Sequence, residues 1–222
     1  MDNNKLVILR FEGVLQAWDA ASKWDERGTE LFPTKSGVAG LLGCAMGIKR
    51  DDPALVELSN AITMAVRADR PGEYMIDYQT VTGDPLLNAE GKPKSTGNTL
   101  VSKRAYLRDA CFTVILGMDE EWHTRIVNAL KNPRWPFYLG RKTCVPSRPV
   151  LECENPPYTE VMEALVAYPP AERSVLPMPF ETEVESSDLS GLSRSDKLVS
   201  MGRGFSRRTV WRGTVKEVGK CI

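Results

Sequence analysis

Residues Cys111–Val150 read CFTVILGMDEEWHTRIVNALKNPRWPFYLGRKTCVPSRPV. The first eight are an apolar, β-branched run, which predicts a strand. Asp119–Lys131 has amphipathic helical spacing, with acids at its start and Lys131 at its end, as the helix dipole favours. Pro133 stops that helix. From Asn132 to Val150 the chain is basic: Arg134, Arg141, Lys142 and Arg148 have no acidic residue among them, and Trp135, Phe137 and Tyr138 are interleaved. Pro133, Pro136, Pro146 and Pro149 stiffen the backbone, and Gly140 permits a tight bend and close approach. Cations for phosphates, flat rings for bases and a rigid frame are the parts of a single-stranded RNA site. The same residues fit a structural loop whose rings plug the core and whose arginines are solvated. Composition leaves both readings open.

Upstream, strand and helix patterns alternate. Lys5–Phe11 predicts a strand. Thr34 or Ser36 can cap a helix over Gly37–Ile48, and Asp51–Asn60 predicts a second, short one. Ile62–Ala68 alternates as a strand, and Tyr74–Thr82 follows as another. Asp84–Ser102 is polar and aperiodic, a long loop or flexible hairpin arm. Ala105–Met118 contains the next strand. The order β-α-(α)-β-β-arm-β-α is that of a ferredoxin-like, RRM-type α+β domain with an arm inserted before its last strand. Beyond it, Tyr158–Val166 predicts a helix and Thr209–Val215 a strand. The expected division is residues 1–132, an RNA-binding domain with the arm at about 84–104, and residues 133–222, the basic loop with a smaller β-rich region.

Gly37, Gly40, Gly43 and Gly47 recur every three or four residues and place small residues on one helical face, suited to close packing on a sheet. Lys35, Ser36 and the first backbone amides of that helix offer the alternative of a phosphate site. It is not a Walker A loop, because the GxxxxGK[ST] order is absent.

The chain has 222 residues, 42% of them hydrophobic, and a formal net charge of +0. A core is therefore expected, and any anion binding must come from local charge separation. Glu181, Glu183, Glu185 and Asp188 form an acidic run; Arg194, Lys197, Arg203, Arg207, Arg208, Arg212 and Lys216 follow, opposed only by Asp196. Lys92, Lys94, Lys103, Arg104 and Arg108 form another basic group. Such runs are commonly solvated faces. Five cysteines without a CxxC pair, and a single histidine, argue against zinc; Cys44 and Cys111 read as buried small hydrophobes. No cofactor is expected. The N-terminus lacks a signal-peptide pattern and no apolar run is long enough to span a membrane, so a soluble, cytoplasmic protein is expected.

Six segments together resemble CRISPR-associated family five, of the RAMP superfamily, in its type I-E Cascade form. LVILRFEGVLQAW resembles the family's first strand and Gln-Ala-Trp turn. FPTKSGVAGLLGCAMGI resembles its glycine-rich helix, and RDDPALVEL the helix after it. DYQTVTG and YLRDACFTVIL resemble the strands entering and leaving its thumb. NPRWPFYLGRKTC resembles its Tyr-Leu-Gly-Arg-basic loop.

The resemblance implies a ferredoxin-like domain with an inserted β-hairpin thumb. It implies a noncatalytic subunit that grips the 5′ handle of the CRISPR RNA and caps the backbone filament. Implied partners are that RNA, the backbone subunit CasC, the large subunit CasA and, indirectly, target DNA; no membrane is implied. The RNA contacts expected on this basis are Gln16 and Trp18 in the turn, and Lys35 and Ser36 at the helix start. Lys103, Arg104 and Arg108 follow the thumb. Arg134, Tyr138, Gly140, Arg141, Lys142 and Arg148 lie in the basic loop, and Arg207 and Arg208 near the C-terminus. A related branch of the family is a metal-independent endoribonuclease that processes the precursor RNA. Such cleavage needs a general base and a cation for the phosphorane charge. His123 sits in the acidic turn of a helix, where a surface or boundary role is expected. A third reading takes Trp18, Trp24, Trp135 and Trp211 as protein-interface anchors.

Overall fold

The computed structural model describes residues 5–19, 26–88, 90–93, 99–184, 191–200, 204–217 and 220–221. β1 (Lys5–Glu12) is buried along both faces. It pairs antiparallel with β7 (Cys111–Met118) from Lys5 opposite Met118 to Glu12 opposite Cys111, and on its other edge with the short β8 (Leu151–Cys153). β7 also pairs antiparallel with β4 (Thr63–Arg70). The row β8–β1–β7–β4 continues through β9 (Met178–Glu183), β11 (Gly204–Glu217) and β10 (Leu192–Ser200), with β12 (Lys220–Cys221) on β11. The residues on either side of position 132 thus share one hydrogen-bonded sheet.

Alternate residues of the central strands serve two cores. Val7, Leu9, Phe11, Val114 and Leu116 pack with α1 (Lys35–Met46), α2 (Pro53–Ala61) and α3 (Glu120–Lys131). Leu6, Ile8, Ala65 and Ile115 pack with α4 (Val161–Ala167), Met178 and Phe180. Cover on both faces is why these strands read as continuous apolar runs. Each fully buried Leu, Ile or Phe contributes about 1.5–3 kcal/mol. The fully buried Arg67 donates from Nη1 to the carbonyls of Leu165 (2.6 Å) and Tyr168 (2.9 Å), which satisfies the C-terminal end of α4. Its Nε donates to Asp69, which also holds Arg10.

Thr34 caps α1 as expected, accepting from the Gly37 amide, but Gly47, expected on the helical face, instead ends the helix at φ 76°, short of the expected end at Ile48. Asp119 accepts from the Trp122 amide at 2.8 Å. The glycine face of α1 packs unevenly. A Cβ on Gly37 would meet the Trp18 ring at 3.0 Å, and one on Gly43 would meet Leu55 at 2.6 Å, whereas Gly40 faces open space. Cys111 is buried as expected; Cys44 is only partly so.

The arm differs from expectation. β5 (Glu73–Thr82) does not join the main sheet. It pairs along its whole length with β6 (Thr99–Arg108) in a second sheet, which β2 (Leu15–Gln16) and β3 (Glu26–Arg27) complete. The hairpin therefore begins at Glu73 rather than near residue 84. The physical reason is occupancy: β7 already has β1 and β4 on its two edges. The strand expected within Ala105–Met118, CFTVILGM, is β7; it is divided from β6 where Asp109 adopts φ 55° and donates its amide to Val14 O at 3.1 Å. Lys94 and Gly97 of the arm lie outside the described residues.

Candidate nucleic-acid interface

Exposed cations gather where β6, β3 and the basic loop meet. β3 runs parallel to β6, with Glu26 opposite Lys103 and Arg27 opposite Arg104. Arg141 reaches this junction from the loop. Its Nη1 donates to Ala105 O at 2.8 Å, and its Nη2 to Gly28 O at 2.7 Å and Arg27 O at 3.0 Å. Its guanidinium lies 4.9 Å from the Tyr106 ring centroid. Lys142, the next residue, is exposed. Lys103 is exposed and lies 3.9 Å from Glu26, a separation weak enough to leave the ammonium available. Arg104 is half-buried.

On the face that carries Lys103, β5 turns Tyr74, Ile76 and Tyr78 to solvent at 56%, 59% and 62% exposure. Tyr78 is directly opposite Lys103. The two tyrosines stand about 13 Å apart along the strand. Flat rings flanked by unburied cations can stack bases and hold phosphates together.

Several expected contacts lie inside the protein instead. Gln16 is buried; its Nε2 donates to Phe11 O (3.1 Å) and Ala110 O (2.8 Å), and its Oε1 accepts from Trp18 Nε1 at 3.1 Å. Trp18 is 1% exposed and stacks on Phe11. The Gln-Ala-Trp turn is therefore a core closure, with its polar atoms satisfied internally.

Lys35 is buried as well. Its Nζ donates to Ile62 O (2.7 Å) and to both carboxylate oxygens of Glu183 (2.8 and 3.0 Å). Burial lowers its pKa below the ordinary lysine value, against the pull of Glu183. The backbone amide of Lys35 donates to Asp196 at 2.9 Å, so the helix end expected to take a phosphate holds the chain's own carboxylate. Arg208, also buried, grips Asp196 through Nε (2.6 Å) and Nη2 (2.9 Å). Burial pushes the Asp196 carboxyl up, but the Arg208 hydrogen bonds and charge, with the Lys35 amide, outweigh it and hold the pKa low. Arg194 and Arg212 pair with Glu181 on the same network. Glu181 and Glu183 of the acidic run and Arg194, Arg208 and Arg212 of the basic run thus form one internal lock; Glu185, Asp188 and Arg203 lie outside the described residues. Ser36 beside it is half-buried.

Gly140 serves the fold. At φ 92°, any Cβ there would run into the Ala17 carbonyl oxygen; the close approach is to backbone, not to a ligand. Tyr138 is half-buried. Arg108 pairs with Glu73, and Arg148 with Glu152 at 2.6 Å. Arg134 is exposed at the far end of α1, where its side chain lies over Gly47, and Arg207 is exposed on β11. The structure therefore puts Lys103 on the hairpin face that carries Tyr78 and Arg104 on the opposite face with Asp77; Lys142 follows Arg141 at the β6–β3 junction, and Arg134 and Arg207 lie on other elements. His123 is 6% exposed, with Nε2 2.7 Å from Glu154 O. Trp135 is 38% exposed, Trp211 packs edge-on to Phe180, and Trp24 lies outside the described residues.

Sequence reasoning did not single out Tyr74 and Tyr78. The signal was present: two tyrosines and Ile76 share one parity of a strand whose other parity carries Asp77 and Gln79.

A family described as CRISPR-associated protein (Cas_Cas5) matches residues 6–216. The chain belongs to the Cas5 family. A curated Cas5 relative, the CRISPR system Cascade subunit CasD of Escherichia coli strain K12, is 30% identical over 217 residues, covering 91% of this chain and 92% of that protein. A chain of a solved CRISPR RNA-guided surveillance complex superposes with a TM-score of 0.78 at 29% identity, covering 95% of this chain and 90% of that one. A crystal structure of a Cas protein gives 0.72 at 31% identity, covering 95% of each chain. The Cas5 likeness thus extends over the arm and the C-terminal strands. Among the described residues no helix is long and apolar enough to cross a membrane, and no group of metal-binding side chains converges.

Proposed function

We propose that this Cas5-family chain is a noncatalytic, guide-RNA-binding subunit of a type I-E CRISPR surveillance complex. It grips the 5′ handle of the CRISPR RNA and caps the backbone filament. One observation carries the reading: exposed Lys103 on β6 lies directly opposite Tyr78, on a hairpin face that also presents Tyr74, and exposed Lys142 follows the loop residue that reaches the same strand. The hairpin is the thumb, and it reaches RNA and the neighbouring CasC and CasA subunits; target DNA is engaged only through the guide. The core unit reads as ferredoxin-like, supported by the strand order β8–β1–β7–β4 with α1 and α3 on one face. Residues 1–132 with the thumb are its RNA-facing half. Residues 133–222 add the basic loop and the β-rich half, joined through the common sheet. The noncatalytic reading is supported by His123, whose ring is committed to Glu154 O inside the protein.

The test is handle-RNA affinity across salt in the assembled complex. Lys103→Ala and Lys142→Ala should each reduce the salt slope by about 0.7. Tyr74→Ala and Tyr78→Ala should each cost about 1–3 kcal/mol with the slope unchanged. Wild-type behaviour of all four variants would remove the site. Defined cleavage of repeat RNA, abolished by a point substitution in this chain, would overturn the noncatalytic assignment.

A further inference from the structure

We infer that Arg141 is a positioning residue: it struts the thumb against the body and does not bind a phosphate. The inference rests on the proposed grip of the RNA handle and deepens it, because it says what sets the geometry of that grip.

The backbone end of the strut is fixed in the body. Leu139 is fully buried. Its carbonyl accepts from the Ala17 amide at 3.1 Å, its amide donates to Cys144 O at 2.7 Å, and the Cys144 amide donates to Arg141 O at 2.8 Å. Gly140 lies tight against the Ala17 carbonyl. A short, closed turn thus holds the Arg141 backbone on the core. The other end grips the thumb. The guanidinium donates to three backbone carbonyls on two different strands, Ala105 on β6 and the pair Arg27–Gly28 at the end of β3, and covers the buried Tyr106 ring. A planar fork of five donors can bridge separate acceptors in this way; a lysine ammonium on a flexible stem cannot reproduce it.

The thumb needs such a strut. It leaves the body through two left-handed backbone positions, Gly72 at φ 76° and Asp109 at φ 55°. β2 braces β6 only at Leu107 and Arg108. Arg141 grips β6 further up, at Ala105, and ties the two-residue β3 to it. The placement of Lys142 relative to Lys103 and the Tyr74–Tyr78 platform therefore depends in part on this side chain. The neighbours Arg141 and Lys142 carry the same charge and divide two tasks, posture and phosphate.

Arg141→Lys separates the alternatives, because it keeps the charge and loses the fork. In the assembled complex, Arg141→Lys and Arg141→Ala should both weaken handle-RNA binding on the order of tenfold, with the wild-type salt slope retained, since preorganisation rather than an ion contact is lost. A second readout is the distance distribution between probes placed through non-canonical amino acids at exposed Thr80 and Asn128 of the full chain without RNA. It should be narrow in the wild type and broader in both variants. Wild-type affinity in Arg141→Lys, or a slope lowered in Arg141→Ala as in Lys142→Ala, would overturn the inference. So would a distance distribution unchanged in both variants, whatever the affinity. Failure of the wild-type complex to prefer handle RNA would instead defeat the functional reading, and the distance distributions would still decide the strut.

Discussion

Replacing Lys35 with methionine removes a buried ammonium and keeps most of its apolar stem. The side chain is 4% exposed, and that of its partner Glu183 is 11% exposed. At the surface such a pair would contribute under about 1 kcal/mol. Inside, deleting one partner strands the other, a cost of about 3–5 kcal/mol. Glu183 would retain the Met64 amide at 2.8 Å and Arg208 at 3.8 Å, so the lower end, about 3 kcal/mol, is expected. For a chain of this length that lowers Tm by about 6–12 °C. Handle-RNA affinity and its salt slope in the assembled complex should stay at wild-type values, because the ammonium never reaches the surface. The double variant Lys35→Met/Glu183→Met should recover part of the lost stability, since it strands no carboxylate, although the Met64 amide loses its acceptor. Thermal melts of the single and double variants, paired with salt titrations of RNA binding, make the assay. A Tm within about 1 °C of wild type, together with a slope reduced by about 0.7, would refute the reasoning and put Lys35 back on the RNA.

Gly140→Ala should cost about 3 kcal/mol or more, from left-handed strain and overlap with the Ala17 carbonyl, and is read by urea denaturation. Gly40→Ala should stabilise by about 0.5–1 kcal/mol, because the position is helical, exposed and open; a lower melting temperature would contradict it. The low folded pKa of Asp196 means that its stabilisation is present above the ordinary carboxylate pKa of about 3.9 and is lost as pH falls through the depressed folded value. Asp196→Asn should therefore lower Tm at neutral pH and flatten the loss of Tm on acidification below about pH 4.

What the sequence by itself determined is whatever short-range chemistry decides. The strands around Val7, Ala65 and Val114, the cap at Thr34 and the end of α3 before Pro133 depend on residues within a few positions of one another, where propensity, caps and period are readable. The family followed because six such segments occur in order. Only the tertiary structure decided which cations are free. Arg141 and Lys142 are adjacent and alike in charge, yet one meets three carbonyls from distant strands and the other meets solvent. Lys35 is locked by an acid 148 residues away, and Arg208 by one on the neighbouring strand. The outward face of β5 was likewise settled by which edges of β7 were already taken. A charged side chain goes wherever a desolvated partner awaits it, and folding brings that partner from far along the chain.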